Sequence, residues 1–78
     1  MSRLTDLDIG ARAVIKDIVA NEEFKNRLRD FGIKKNSQIT LKGYGFLKKV
    51  VKVETDSNTC VALRKEEADK VLVERELF

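Results

Sequence analysis

The sequence has no histidine among its 78 residues. This absence removes the commonest general base and the commonest transition-metal ligand, and it excludes a Ser–His or Cys–His nucleophile pair. Only one cysteine is present, Cys60, so no disulfide can form within the chain. We therefore expect a protein that is not an enzyme, with no catalytic residues and no bound cofactor.

Proline is also absent, so glycine, asparagine and aspartate must make the turns. No apolar run is long enough for a signal sequence or a membrane span, which predicts a cytoplasmic protein without direct membrane insertion. The 16 basic and 13 acidic residues leave a net charge of only +3, with both signs mixed along the sequence. A protein that binds duplex DNA usually concentrates its basic charge on one face, so nucleic acid is not an expected partner.

The stretch 21–33 carries a complete set of helix signals. Phe24, Leu28 and Phe31 are spaced to form one apolar stripe, which we expect to be buried. Asn21 is positioned to cap the first turn with its side-chain oxygen. Gly32 can adopt the left-handed conformation that ends a helix. The predicted helix therefore begins after Asn21 and ends near Phe31.

The rest of the chain alternates between apolar and polar residues, as half-buried strands do. The first strand is predicted at 11–19, and a break in its alternation near Lys16 and Asp17 predicts a β-bulge. Four further strands are indicated by paired apolar residues: Ile39 and Leu41, Val51 and Val53, Val61 and Leu63, Val71 and Val73. A turn at 34–36 precedes the first of these four strands, and a hairpin turn at 56–58 and a short helical turn at 65–69 lie between later ones. Residues 4–10 could be a helical turn or an irregular segment.

Five short strands and one main helix in a chain of this length favour a small, partly open β-barrel, since closure limits the number of exposed strand edges. The predicted order is β, α, β, β, β, a short helical turn, β. One domain, residues 1–78, with one small core is all that the length allows.

A glycine-flanked segment at 43–47 is expected to be a flexible loop with bulky side chains at its tip. Aromatic residues with cations beside them are typical of the residues that dominate protein interfaces. We therefore predict a partner-binding surface made of Tyr44, Phe46, Leu47, Lys42, Lys48 and Lys49. The alternative is that the apolar side chains of this loop fold over the open end of the barrel.

Metal binding depends on the donor atoms that the sequence offers. Ferrous iron accepts imidazole, thiolate and carboxylate ligands, and here only one thiol and scattered carboxylates are present. Cys60 is expected to be a small buried hydrophobic residue in its strand. The carboxylates are expected to be solvated or to face the helix dipole: Asp6, Asp8, Asp17, Glu22 and Glu23. No metal site is assigned, and any binding of Fe2+ or another divalent ion is expected to be weak.

An ordered set of residues spread over nearly the whole chain resembles the ferrous iron transport protein A (FeoA) family. The matching residues are Leu4, Leu7, Gly10, Ala13, Ile15, Ile18, Arg27, Leu28, Phe31, Gly32, Ile33, Ile39, Val51, Val53, Val61, Ala62, Leu63, Arg64 and Ala68. The resemblance implies an SH3-like barrel. This sequence departs from the family pattern at Lys35-Asn36, where a Pro-Gly pair is usual, and at 48–50, where Gly-Asp-Pro is usual.

The resemblance also implies a role. FeoA proteins are accessories of bacterial ferrous iron uptake that act on the membrane transporter FeoB and its cytosolic GTP-hydrolysing domain, and a similar barrel occurs in iron-dependent repressors. A partner of this kind is therefore expected, with the oligomeric state left open. Two alternatives are a small nucleic-acid-binding barrel that uses Tyr44 and Phe46 as stacking platforms, and a stand-alone metal-responsive regulatory module.

Overall fold

The computed structural model describes residues 2–76 as a mainly β structure with one main helix. The elements, in chain order, are β1 (Ser2–Arg3), a 3-10 turn (Leu4–Asp6), β2 (Arg12–Ile18), α1 (Glu22–Asp30), β3 (Gln38–Tyr44), a second 3-10 turn (Phe46–Lys48), β4 (Val50–Thr55), β5 (Cys60–Arg64), α2 (Lys65–Ala68) and β6 (Val71–Arg75). The five predicted strands and both predicted helical segments are present, and the open choice at 4–10 resolves to a 3-10 turn followed by a bend.

The strands form one antiparallel sheet in the order β1-β6-β2-β3-β4-β5. The structure adds one strand to the prediction, the two-residue β1, in which Ser2 pairs with Val73 of β6. A strand of two residues has no alternation to detect, which explains why the sequence did not reveal it. The sheet therefore has β1 and β5 as its two edges.

Two irregularities bend the sheet. In β2, Ile15 pairs with Val73 and Asp17 pairs with Leu72, so Lys16 is an extra residue, as predicted from the broken alternation. This bulge lets Ile15 and Ile18 both point into the core although their positions differ in parity. A second shift lies in β3 between Leu41 and Gly43 and was not predicted. Bulges increase local twist, and here they curl the sheet around its core.

The core is made mostly of strand side chains on the concave face of the sheet. Its buried hydrophobic residues are Leu4, Leu7, Ala13, Ile15, Ile18, Leu28, Ile33, Ile39, Leu41, Val51, Val53, Leu63, Ala68, Val71 and Val73. They include the paired apolar residues that indicated β3, β4 and β6. In β5, Leu63 is buried and Val61 is half-buried.

Helix α1 begins and ends as predicted. The Asn21 side chain accepts a hydrogen bond from the Phe24 amide at 2.9 Å. At the other end Gly32 has φ of 90°, and the Ile33 amide donates to the Leu28 carbonyl at 2.9 Å. The Gly32 amide also donates to the Arg29 carbonyl at 2.9 Å. These two C-terminal bonds form a Schellman motif, which satisfies carbonyls that the helix leaves unpaired.

The apolar stripe of α1 is only partly buried, which corrects the prediction. Leu28 is buried, Phe24 is half-buried, and Phe31 is 48% exposed. The Schellman turn explains the difference, since it reverses the chain after Phe31 and places Ile33 in the core instead. The helix therefore contributes a single buried residue of its own to the core, Leu28. In residues 2–76, no helix has the length and apolarity to cross a membrane.

Candidate partner-binding surface

The turn between β3 and β4 projects from the sheet because its base is tightly closed. The Gly45 amide donates to the Val50 carbonyl at 2.7 Å. A Cβ at position 45 would lie 2.9 Å from the Val50 Cβ, a distance that side chains do not tolerate. Glycine is therefore required at the base, and the four residues that follow form the tip.

The tip, Phe46 to Lys49, has a strained backbone. The Lys49 amide donates to the Phe46 carbonyl at 3.1 Å, and the two residues between them have positive φ angles, 55° at Leu47 and 59° at Lys48. Consecutive left-handed residues resemble a type I′ turn, which normally selects glycine or asparagine. For residues with a Cβ, this region costs roughly 1–2 kcal/mol each.

The two apolar side chains of the tip face solvent. Phe46 is 82% exposed and Leu47 is 69% exposed, more than any other large hydrophobic residue among those described. The alternative in which they fold over the end of the barrel is therefore wrong for both residues. We name Phe46, Leu47, Lys48 and Lys49 together the tip turn.

Tyr44 does not belong to this exposed tip, and the predicted flexible loop begins later than expected. Strand β3 continues through Gly43 and Tyr44, which pair with Lys52 and Val51 of β4. The Tyr44 ring is half-buried against the core, and its hydroxyl donates to the Thr5 carbonyl at 3.4 Å. The bulge near Lys42 explains the difference, because it lets the strand pass a glycine without losing its pairing.

The lysines of the predicted surface are exposed. Lys48 and Lys49 lie in the tip turn, and Lys42 lies two residues before Tyr44 on β3. Within residues 2–76, none of the three forms an ion pair. An apolar tip with free cations beside it can enter an apolar pocket that has acidic groups around it.

The potential metal donors are dispersed. Cys60 is exposed, so the prediction that it is buried is wrong: alternation along β5 sends Leu63 inward and Cys60 outward. Asp6 accepts from the Arg3 amide at 3.0 Å, Asp17 accepts from the Ile18 amide at 2.8 Å, and Asp8 pairs with Arg75 at 3.0 Å. In the part of the chain that the structure describes, no three Cys, Asp or Glu residues come together as a metal-binding group.

Comparison with known proteins places this geometry in a family. The FeoA domain model matches residues 2–75. A Campylobacter jejuni protein provisionally named Fe(2+) transport protein A is 36% identical over 70 residues, which cover 90% of this chain and 93% of that protein.

Solved structures confirm the SH3-like fold. The FeoA-like protein from Clostridium acetobutylicum superposes with a TM-score of 0.83 at 23% identity, covering 99% of this chain and 88% of that one. A manganese-dependent transcriptional repressor in complex with manganese gives a TM-score of 0.85 at 19% identity, and the match covers 95% of this chain but 36% of the repressor. At such identities the likeness shows the fold alone. The family model that matches residues 2–75 and the 36% identical Campylobacter relative show the family as well as the fold. This chain therefore belongs to the FeoA domain family, a family of accessory proteins in Fe(2+) transport.

Proposed function

We propose that this protein is a non-catalytic, cytoplasmic accessory of ferrous iron uptake that binds the cytosolic, GTP-hydrolysing part of a FeoB-type membrane transporter and modulates transport. The observation that supports the proposal is the tip turn, in which Phe46 and Leu47 are exposed at 82% and 69% on a strained backbone. Backbone strain at an exposed apolar tip is more often associated with function than with stability.

The tip turn suits binding energetically. Complete burial of a Phe or Leu side chain in a partner contributes about 1.5–3 kcal/mol. The closed base at Gly45 and Val50 already orders the turn, so little conformational entropy is lost on docking. Lys48 and Lys49 would accelerate the encounter with an acidic partner surface more than they would tighten the complex.

In this proposal ferrous iron is cargo that the transporter holds. The donors do not converge on one site within residues 2–76. Four of the carboxylates already accept a hydrogen bond or pair with a basic side chain: Asp6, Asp8, Asp17 and Glu22. Any Fe2+ that the isolated chain binds would therefore be held weakly, at single carboxylates or at Cys60.

Titration of the transporter's cytosolic domain with this protein tests the proposal. We expect saturable binding that becomes about 10 to 100 times weaker in Phe46→Ala and in Leu47→Ala, as for residues that anchor an interface. Both side chains are exposed, so neither substitution should lower the free energy of unfolding by more than about 0.5 kcal/mol.

Val19→Ala is the matched control. Val19 is 61% exposed but follows β2, whose last residue pairs with Val71, whereas the tip turn follows the end of β3. Because β2 and β3 are antiparallel, these two positions lie at opposite ends of the sheet, and Val19→Ala should bind normally. Equal losses in all three variants, or tight binding of oligonucleotides with a steep salt dependence, would contradict the proposal. Of the two aromatic residues predicted as stacking platforms for such a ligand, Phe46 is exposed and Tyr44 is half-buried.

A further inference from the structure

Strand β5 is an edge of the sheet. The backbone N–H and C=O groups of its successive residues point alternately toward β4 and toward the open side. The Thr55 amide donates to the Thr59 carbonyl at 2.9 Å, and the Lys65 amide donates to the Lys49 carbonyl at 3.0 Å. Bonded pairs recur every second residue in an antiparallel ladder, so Val61 and Leu63 also bond to β4. The backbone groups of Cys60, Ala62 and Arg64 therefore point away from β4.

Two of these three residues present their backbone to a ligand. The Arg64 amide is already bound to a Glu67 carboxylate oxygen at 2.9 Å. Cys60 and Ala62 are both exposed, and among residues 2–76 no other strand lies on this side of β5. Their N–H and C=O groups form a short row of donors and acceptors, the arrangement that an added strand uses.

The side chains beside this edge form two shallow grooves. One, of about 270 Å3, is lined by Val53, Cys60, Val61, Ala62 and two lysines, Lys42 and Lys52. The other, of about 490 Å3, lies at the far end of β5 and is lined by Lys49, Val50, Arg64, Lys65 and Glu66. An extended peptide places alternate side chains on one face, so it could fill both grooves with small apolar groups.

The charge around β5 selects the kind of strand that can dock. Five basic residues line the two grooves, and none of them forms an ion pair within residues 2–76: Lys42, Lys49, Lys52, Arg64 and Lys65. Glu66 is the acidic residue among the groove residues, and Glu54 pairs with Cys60 across the strands. A second copy of β5 would bring the basic residues around the edge of one copy close to those of the other, so like-charge repulsion disfavours self-pairing.

We propose that β5 is a second docking surface, which adjoins the tip turn at Lys49 and accepts an extended acidic segment of a protein partner as an additional strand. The Cys60 and Ala62 backbone groups supply the hydrogen bonds, the half-buried Val61 contacts alternate apolar side chains, and Lys42 and Lys52 pair with carboxylates. This surface does not depend on the role of the tip turn or on the identity of the transporter.

Amide hydrogen exchange followed by NMR tests the proposal in the full chain, with a short peptide of alternating glutamate and valine as the probe. In the free protein the amides of Cys60 and Ala62 should exchange fast, while those of Val61 and Leu63 in the same strand are protected. At a peptide concentration of about nine times its Kd, exchange at Cys60 and Ala62 should slow about tenfold, because only the free fraction exchanges. A peptide of alternating lysine and valine should give no such protection.

Two variants with the same change of charge sharpen the test. Lys52→Glu should weaken binding of the acidic peptide about tenfold. Lys34→Glu, in a groove between β2 and α1, should change it less than twofold. Both lysines are exposed, so both variants should fold.

Three outcomes would overturn the proposal. The first is peptide binding without slower exchange at Cys60 and Ala62, and the second is equal loss of binding in the two lysine variants. The third is protection of these amides that rises with protein concentration in the absence of peptide, which would show that β5 pairs with a second copy. The lone thiol gives an independent readout, since alkylation of exposed Cys60 should slow by a similar factor when the acidic peptide is bound.

Discussion

The end of α1 and the tip turn both reverse the chain through residues in the left-handed conformation, but the residue types at the two places differ. At the helix end Gly32 takes the left-handed conformation, with φ of 90°, where a residue without Cβ is unstrained. At the tip Leu47 and Lys48 take it, with φ of 55° and 59°. The helix end is anchored in the core by Leu28 and Ile33, whereas the apolar side chains of the tip face solvent.

The other left-handed positions resemble the helix end in their choice of residue. They are occupied by Gly10, Asn36 and Asn58, residues that tolerate this region. The tip turn alone, within the described residues, combines the conformation with bulky side chains and exposure. Stability does not account for this choice, whereas the proposed binding through those side chains would. The comparison therefore separates residues that hold the fold from residues that are available to a partner.

The largest expected difference between the two regions is in side-chain truncation. Leu28 is 2% exposed, so Leu28→Ala should lower the free energy of unfolding by about 2–4 kcal/mol, through lost burial and the cavity left behind. Leu47→Ala, which removes the same atoms from an exposed side chain, should change it by less than about 0.5 kcal/mol. Urea unfolding measures both, and similar values for the two variants would remove the distinction between anchor and tip.

A smaller effect is expected from adding one methyl group at the helix end. A Cβ at position 32 would lie 3.6 Å from the Thr55 side chain, an ordinary contact, so the penalty of Gly32→Ala is that of the left-handed backbone. We expect a loss of about 1–2 kcal/mol. Gly43→Ala is the matched control, since that glycine has no positive φ and a Cβ there meets open space. If both substitutions cost the same, the Schellman motif is not what requires glycine.

Most of the fold could be predicted from local pattern. Asn21 and Gly32 mark the helix because caps act through neighbouring residues, and the parity break at Lys16 reveals a bulge because it shifts every later side chain. The prediction that Phe31 is buried is wrong because it depends on residues beyond the helix. Helical spacing places Phe31 on the predicted buried stripe. The Schellman turn that follows reverses the chain, so Ile33 is buried in the core and Phe31 is exposed.

The candidate surface was only partly predictable. Phe46, Leu47 and the lysines were singled out by composition, but Tyr44 was grouped with them because flanking glycines resemble a loop, while long-range pairing with Val51 keeps it in β3. The exposure of Cys60 follows from the alternation along β5. The open edge of β5 follows from strand order, which single-sequence patterns do not encode, and nothing in the residue types at 47 and 48 signals positive φ angles.

The smallest effect on stability is also the most informative, because stability and binding should change in opposite directions. Leu47→Gly relieves a strain of roughly 1–2 kcal/mol and adds the flexibility of glycine, which costs about 0.5–1 kcal/mol, so the protein should become more stable by up to about 1.5 kcal/mol. Removal of the exposed leucine should at the same time weaken binding of the transporter's cytosolic domain by about tenfold.

Thermal unfolding and titration of the same Leu47→Gly sample decide this prediction, with Phe46→Ala as the variant that loses binding without gaining stability. Phe46 lies outside the left-handed pair, so its truncation relieves no strain. A Leu47→Gly protein that is less stable than the parent would show that the leucine supports the fold, and one that binds with unchanged affinity would show that the tip is not the contact. A gain in stability together with a loss of binding requires that the strained backbone is maintained for the side chain it displays.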